Sequence, residues 1–143
     1  MKTVYIVRKE RFNAAHKLWR NDWSEEKNQE VFGKCSNKNW HGHNFNLFVT
    51  VKGAPSEETG FVIDLKRLSQ IIKQEVIEHL DHKNLNLDVP FLEGLLPSTE
   101  NLIIKIWDLL EMPIKKEGGI LCKLRLEETE NNFVEYFGDH VPY

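Results

Sequence analysis

Long apolar runs are missing from this sequence, and so are a set of paired cysteines and an excess of either charge. No stretch approaches the roughly 20 apolar residues that a membrane-spanning helix needs. The apolar run near the start, Val4 to Val7, is cut off by Arg8, Lys9 and Glu10 and lacks the length and cleavage site of a secretion signal. Cys35 and Cys122 are the only cysteines in 143 residues. That is no disulfide framework, and free thiols in a cytoplasmic protein are the expectation. The chain has 19 Lys and Arg against 22 Asp and Glu, a net charge of -3. This leaves no electrostatic footprint for nucleic acid, although a local basic pocket for a phosphorylated small molecule stays open. Internal repeats, linkers and low-complexity segments are also missing, so residues 1–143 read as a single domain.

What is present suffices for a folded chain. Apolar residues make up 41% and charged residues 29%, which excludes a disordered composition. Thr3 to Phe12 is rich in β-branched and aromatic residues and predicts a strand with His16 at its end. Lys17 to Lys38 is polar, without clear period, and a stretch of that length is functional or partly helical. Asn44 to Val51 alternates: Phe45, Leu47, Val49 and Val51 share one face, while Asn44, Asn46, Phe48 and Thr50 share the other. Asp64 predicts a helix N-cap, followed by Leu65, Leu68, Ile72, Val76 and Leu80 at helical spacing. Ser98 predicts a second N-cap, before the apolar stripe Leu102, Ile103, Ile106, Trp107 and Leu110, with Pro113 as the stop.

After Gly118-Gly119 a third strand is expected, with Ile120, Cys122, Leu124 and Leu126 on its core face, and Phe133 to Phe137 forms the last. The order β, β, α, α, β, β argues for an α+β fold, a four-stranded antiparallel sheet with two helices on one face. Tyr5, Val7, Phe48 and Thr50 give the other face an apolar character that suggests cover by a second subunit, the alternative being single exposed apolar residues that need none.

The residues that carry chemistry begin with His41-Gly42-His43. Residues i and i+2 of an extended segment point to one side, so two imidazoles there can share a metal ion at about 2.0–2.1 Å. If the first two strands pair as a hairpin, His16 joins them. Three histidines without a fourth protein ligand is the pattern of a catalytic zinc. Cys35, in Lys34-Cys35-Ser36-Asn37-Lys38, is either a fourth ligand that closes the site or a base whose flanking lysines favour the thiolate. Cys122, on a predicted apolar face, reads as core. Asp81-His82 can act as a proton-transfer pair. Glu127-Glu128-Thr129 ends the third strand, where a carboxylate is either a solvated strand end or a partner for an amidine-like N–C–N edge, held by two parallel hydrogen bonds. His79 and His140 read as surface residues.

In this order the segments resemble the 6-pyruvoyltetrahydropterin synthase family, which also contains the 6-carboxytetrahydropterin synthases of queuosine biosynthesis. Phe12-x-Ala-Ala-His16 resembles its first zinc-histidine segment, and Cys35-x5-His41-Gly-His43-Asn44 its central motif. Gly60-Phe-Val-Ile-Asp64 is similar to the strand before its first helix, and Leu80-Asp81-His82-x2-Leu85-Asn86 to its catalytic Asp-His segment. Pro97-Ser-Thr-Glu100-Asn101, then Ile106-Trp107, resembles the start of its second helix, and Glu128-Thr129 its pterin-anchoring segment.

The resemblance implies a tunnelling fold that trimerises into a twelve-stranded barrel, two trimers stacking into a hexamer, with sites between subunits. It implies Zn²⁺ on His16, His41 and His43, catalysis by Cys35, Asp81 and His82, and pterin binding by Ser98, Thr99 and Glu128. The implied substrate is 7,8-dihydroneopterin triphosphate. Five residues separate Cys35 from His41, the gap usual in pyruvoyl-forming members, whereas carboxy-forming members usually have a shorter one. Trp40 stands where animal enzymes commonly have glycine. Two other readings compete: a non-catalytic structural zinc protein with a Cys-His₃ site closed by Cys35, and a pterin-binding partner subunit without activity, against which Cys35, Asp81 and His82 speak.

Overall fold

Side-chain alternation shapes the two longest strands. In β1 (Val4–His16) the even-numbered residues turn inward, and Glu10, Phe12, Ala14 and His16 are buried. In β2 (His41–Gly53), Phe45, Leu47, Val49 and Val51 are fully buried, on the face expected from their spacing. The two strands run antiparallel in unbroken register from Val4 opposite Gly53 to His16 opposite His41. The computed structural model describes residues 2–37 and 41–138, with position 41 described by its backbone alone; Lys38, Trp40 and His140 lie outside the described residues.

The first strand reaches beyond Phe12 because its end is clamped on both sides. Ala14 and Ala15 pair with β2 on one edge and, in parallel, with the short β3 (Lys83–Asn84) on the other. The His82 and Leu85 N–H groups donate to the Asn13 and Ala15 carbonyls at 2.6 and 2.8 Å. The four expected strands are antiparallel, as read from their order, and β3 adds a fifth. The sheet is therefore mixed, in the order β3-β1-β2-β4-β5. Nothing in the composition of residues 83–84 marks a strand; tertiary pairing makes it one.

A bulge corrects the expected face of β4 (Ile120–Glu127). Thr50 pairs with Lys123, but Val51 pairs with Leu121, so Cys122 is the extra residue. The parity of the strand flips there. Leu121, Leu124 and Leu126 enter the core, Ile120 is exposed, and Cys122 is half-buried, its thiol 3.5 Å from the Thr50 carbonyl. Gly119 precedes the bulge, where a Cβ would lie 2.4 Å from a Val51 methyl. β5 (Phe133–Tyr136) completes the sheet.

The polar stretch after β1 holds a helix, α1 (Glu25–Phe32), and a 3₁₀ turn (Gly33–Ser36). Ser24 caps α1, with Glu25 and Glu26 in its first turn. Its anchor is polar. Asn28 is 0% exposed. It accepts the Arg20 N–H at 2.7 Å and donates to the Arg20 and Ser24 carbonyls at 2.9 and 3.0 Å. Trp23 stacks on Phe32 beside it. The Leu18 N–H then donates to the Cys35 carbonyl at 2.7 Å, tying the far end of the segment back to its start.

Both predicted caps form. Asp64 accepts the Lys66 N–H at the head of α2 (Leu65–Ile72), which runs on through a π turn (Lys73–Ile77) into α3 (Glu78–Leu80). Leu68, Ile72, Val76 and Leu80 are buried; Leu65, on the first turn, is exposed. Ser98 accepts the Asn101 N–H at the head of α4 (Thr99–Lys116). Pro113 does not end this helix. It sits in the last turn, where the loss of one N–H is offset by packing: Ile114 extends the buried stripe of Leu102, Ile106 and Leu110. Gly118, at φ 92°, and Gly119 stop the helix instead. The helices cover one face of the sheet, and the core lies between. Among the described residues no helix is long and apolar enough to cross a membrane.

On the uncovered face Tyr5 and Val7 are exposed, as their spacing suggests, while Thr50 is buried. Phe48 lies beneath Lys9 and Arg125, whose charges stand 5.4 and 5.8 Å from the ring centre. The sheet is open, ending at β3 and β5.

Replacing Asn28 by Ala removes the acceptor of the Arg20 N–H and one of two donors to each of the Arg20 and Ser24 carbonyls in a part-buried loop. The expected loss of stability is about 1–3 kcal/mol, read as a lower urea midpoint with an unchanged slope. An unchanged midpoint would show that the asparagine does not hold the loop.

Candidate metal and active centre

The β1–β2 register builds the centre. It sets His16 opposite position 41 and Ala14 opposite His43, so positions 16, 41 and 43 share the inward parity of their strands. His16 is 2% exposed. Its ring meets that of His43 edge-on, with centroids 5.2 Å apart, and both rings stand edge-on to Phe45, which stacks on Phe12 at 4.9 Å. An apolar floor therefore lies under the imidazoles. The side chain of His41 is outside the described residues.

The start of α4 sets the chemistry of these rings. His16 Nδ1 lies 2.9 Å from the Pro97 carbonyl. A carbonyl only accepts, so Nδ1 donates, and in the neutral ring Nε2 presents its lone pair to the centre. Burial holds His43 below its ordinary imidazole pKa; the Glu128 carboxylate opposes that shift and His16 adds to it. A neutral imidazole is the form that binds metal.

Glu128 follows β4 in a turn closed by its N–H and that of Thr129 on the Asn132 carbonyl. Its Oε1 lies 2.9 Å from His43 Nε2 and 3.4 Å from His16 Nε2. Its Oε2 accepts the hydroxyl of Thr99, a buried residue, at 3.0 Å. One ligand atom from each of His16, His43 and Glu128 falls within 4.8 Å of the others, a group that could hold a metal ion. Two imidazoles and a carboxylate match the donor types that zinc takes.

Cys35 sits in the 3₁₀ turn, half-buried. Burial raises its thiol pKa, and the Glu128 carboxylate raises it further. This reverses the expectation drawn from Lys34, and it brings the thiol within electrostatic reach of Glu128. Ser98 spends its hydroxyl on the cap of α4, and Thr99 spends its own on Glu128.

Asp81 and His82 stand elsewhere. Asp81 Oδ2 is 3.0 Å from His82 Nδ1, and Oδ1 accepts the Asn13 N–H at 2.8 Å. That amide holds the carboxyl below its usual range against the opposing effect of burial, and His82 adds to the shift. His82 is 82% exposed in its side chain and has φ 59°. Asp81 lines a cleft of 420 Å³ with Arg11, Asn13, Asn44 and Asn46. Those four have the outward parity of their strands, opposite to His16 and His43. One chain thus brings His16, His43 and Glu128 together, with Cys35 in electrostatic reach of Glu128, and places Asp81 in a cleft on the other face. His79 is exposed, as expected.

Sequence reasoning missed the Pro97 carbonyl and Asn28. A backbone acceptor leaves no mark in residue type, and Asn28 lies in a helix without an apolar stripe.

The chain is similar to known proteins along most of its length. A sequence profile described as 6-pyruvoyl tetrahydropterin synthase matches residues 5–139. The 6-pyruvoyl tetrahydrobiopterin synthase of Dictyostelium discoideum is 44% identical over 138 residues, covering 96% of this chain and 98% of that one. The Homo sapiens protein of the same name is 40% identical over 136 residues, covering 94% and 91%. The structure of the Caenorhabditis elegans 6-pyruvoyl tetrahydropterin synthase superposes with a TM-score of 0.89 at 35% identity, covering 96% of this chain and 97% of that one. The chain belongs to the 6-pyruvoyl tetrahydropterin synthase family.

Proposed function

We propose that this protein is a zinc-dependent lyase that converts 7,8-dihydroneopterin triphosphate to 6-pyruvoyltetrahydropterin with loss of triphosphate. The observation that carries the reading is the convergence of His16, His43 and Glu128 within 4.8 Å, with Cys35 in electrostatic reach of the same carboxylate. Family membership and the five-residue gap from Cys35 to His41 support the pyruvoyl product.

His16, His41 and His43 would hold the zinc ion. Once bound there, it supplies Lewis acidity to the hydroxyls of the substrate side chain. Glu128 accepts the 2-amino and N3 hydrogens of the pterin in two parallel bonds, with Ser98 and Thr99 beside the ring. That engagement offsets the negative charge that helps keep the Cys35 thiol protonated, so ring binding favours the thiolate. Cys35 then takes a proton from the side-chain carbon, and Asp81 and His82 of a neighbouring subunit return protons. Triphosphate leaves with the C–O bonding pair, and the remaining steps are internal proton and electron shifts, so no external redox partner is needed. The open sheet supports a trimer whose sheets close a barrel, with a hexamer of two trimers and a cytoplasmic location as the fuller reading.

Incubation with 7,8-dihydroneopterin triphosphate tests the reaction. The expected products are 6-pyruvoyltetrahydropterin and triphosphate; release of acetaldehyde would assign the carboxy-forming activity instead. Purified protein should carry about one zinc per chain, and His43→Ala should lose most of it; full retention rejects the site. Cys35→Ala should keep zinc and assembly while turnover falls by roughly 10²-fold or more, the scale for losing a general base. Loss of zinc together with stability would instead make Cys35 a structural ligand. In metal-free protein, Glu128→Gln removes the charge that adds to the thiol's raised pKa, so iodoacetamide should modify Cys35 faster at pH 8. An unchanged rate would show that the carboxylate does not act on the thiol.

A further inference from the structure

Asp81 and Arg11 line one cleft on the outward face of the sheet, and they do not pair with each other. Both oxygens of Asp81 are engaged, one by the Asn13 N–H at 2.8 Å and the other by His82 Nδ1 at 3.0 Å. Arg11 is exposed, and among the described residues no carboxylate pairs with it. The carboxylate in its cross-strand row is Glu127, beyond Asn46. That group is taken by Arg125 at 2.9 Å and by Asn46 at 3.2 Å. Glu135, one strand further, is held by Lys123. The carboxylates of this face are thus neutralised by their own partners, while Arg11 keeps its charge for something else. The asparagines add donors. Asn44 accepts the Asn13 amide on its oxygen at 2.7 Å, which leaves its own NH₂ group to donate. A cation beside N–H donors, in a cleft of 420 Å³, suits a small anion with several acceptor oxygens.

We propose that Arg11, with Asn44, binds the triphosphate of the substrate and holds it as it leaves. This rests on the substrate reading of the preceding section. The phosphate ester sits at the end of the substrate side chain, a few bonds beyond the carbons to which Asp81 and His82 return protons. The leaving group therefore lies in or beside the cleft of whichever chain supplies Asp81. The Asp81 carboxylate repels a polyanion, and Arg11 in the same cleft offsets that repulsion. Its guanidinium can donate two parallel N–H bonds to phosphoryl oxygens. Its charge also favours the negative charge that grows on the ester oxygen as the C–O bond breaks. Arg11 and Asp81 come from one chain, so the anion site does not depend on the metal donors or on the ring.

The test is calorimetric titration of the zinc-loaded full chain with inorganic triphosphate. Wild-type protein should bind it, and Arg11→Gln should bind it roughly 10-fold or more weakly. Arg11→Lys, which keeps the charge and loses the fork, should fall between the two. His43→Ala should keep the affinity, because the anion is held away from the metal. In turnover, Arg11→Gln should lower kcat/KM by a similar factor. Inhibition by 7,8-dihydroneopterin, the same ring and side chain without phosphates, should stay unchanged in that variant. Equal triphosphate affinity in wild type and Arg11→Gln would overturn the proposal. So would loss of binding in His43→Ala, which would make the metal the anion site, or an equal weakening of dihydroneopterin inhibition, which would make the effect a general one. Failure of the underlying reading is separate: wild-type protein would then bind inorganic triphosphate and leave 7,8-dihydroneopterin triphosphate unconverted.

Discussion

The register between β1 and β2 is the constraint on which the centre depends. It places His16 opposite position 41 and Ala14 opposite His43. A slip of one residue would turn the histidines of one strand to the opposite face. The register is held by burial rather than by the histidines themselves. Phe12, Phe45, Leu47, Val49 and Val51 are all buried on the inward face, and a slip would expose one strand's share of them. Phe12 and Phe45 also form the floor of the site, so the apolar core both selects the pairing and desolvates the imidazoles.

The start of α4 supplies the second constraint. Within three residues, Pro97 accepts from His16, Ser98 caps the helix, and Thr99 donates to Glu128. The first and last of these contacts reach different parts of the sheet, one to β1 and one to the turn after β4. The helix is anchored by its own buried stripe, so these polar groups are fixed by packing at a distance from them. That rigidity matters for a site whose ligands must meet within a fraction of an ångström.

The parts legible in the sequence were those in which local pattern and tertiary environment agree. The alternation of Phe45 to Val51 and the caps Asp64 and Ser98 follow from residue type and period, and the approach of His16 to the His-x-His segment follows once the first two strands pair. The illegible parts come from single events that leave the pattern intact. One extra residue at Cys122 reverses the parity of β4, although Ile120, Cys122, Leu124 and Leu126 alternate well on paper. Pro113 looks like a stop, but burial of Ile114 carries α4 past it. Residues 83–84 become a strand only because β1 offers an edge. For Cys35, the neighbouring Lys34 suggested a low pKa. Burial and Glu128, neither visible from adjacent residues, push it the other way.

The position of Asp81 and His82 carries a consequence for assembly. Asp81 lines its cleft with Asn13, Asn44 and Asn46, on the outward face, while Glu128 meets the inward-facing His16 and His43. In the proposed function, proton return from this pair to a substrate held at Glu128 calls for a second chain to bring it there. The sheet has the means. Beyond the two residues paired with β3, the long edge of β1 is open, and β5 is a four-residue edge at the other end. Open edges are pairing surfaces unless something covers them. Joining such edges around an axis would cover Tyr5, Val7 and Phe48 and carry each outward cleft towards a neighbour. Under the proposed roles, a chain isolated by disrupting that pairing is expected to keep its His16-His43-Glu128 group and to lose its turnover, since Asp81 and His82 would be supplied by a neighbour.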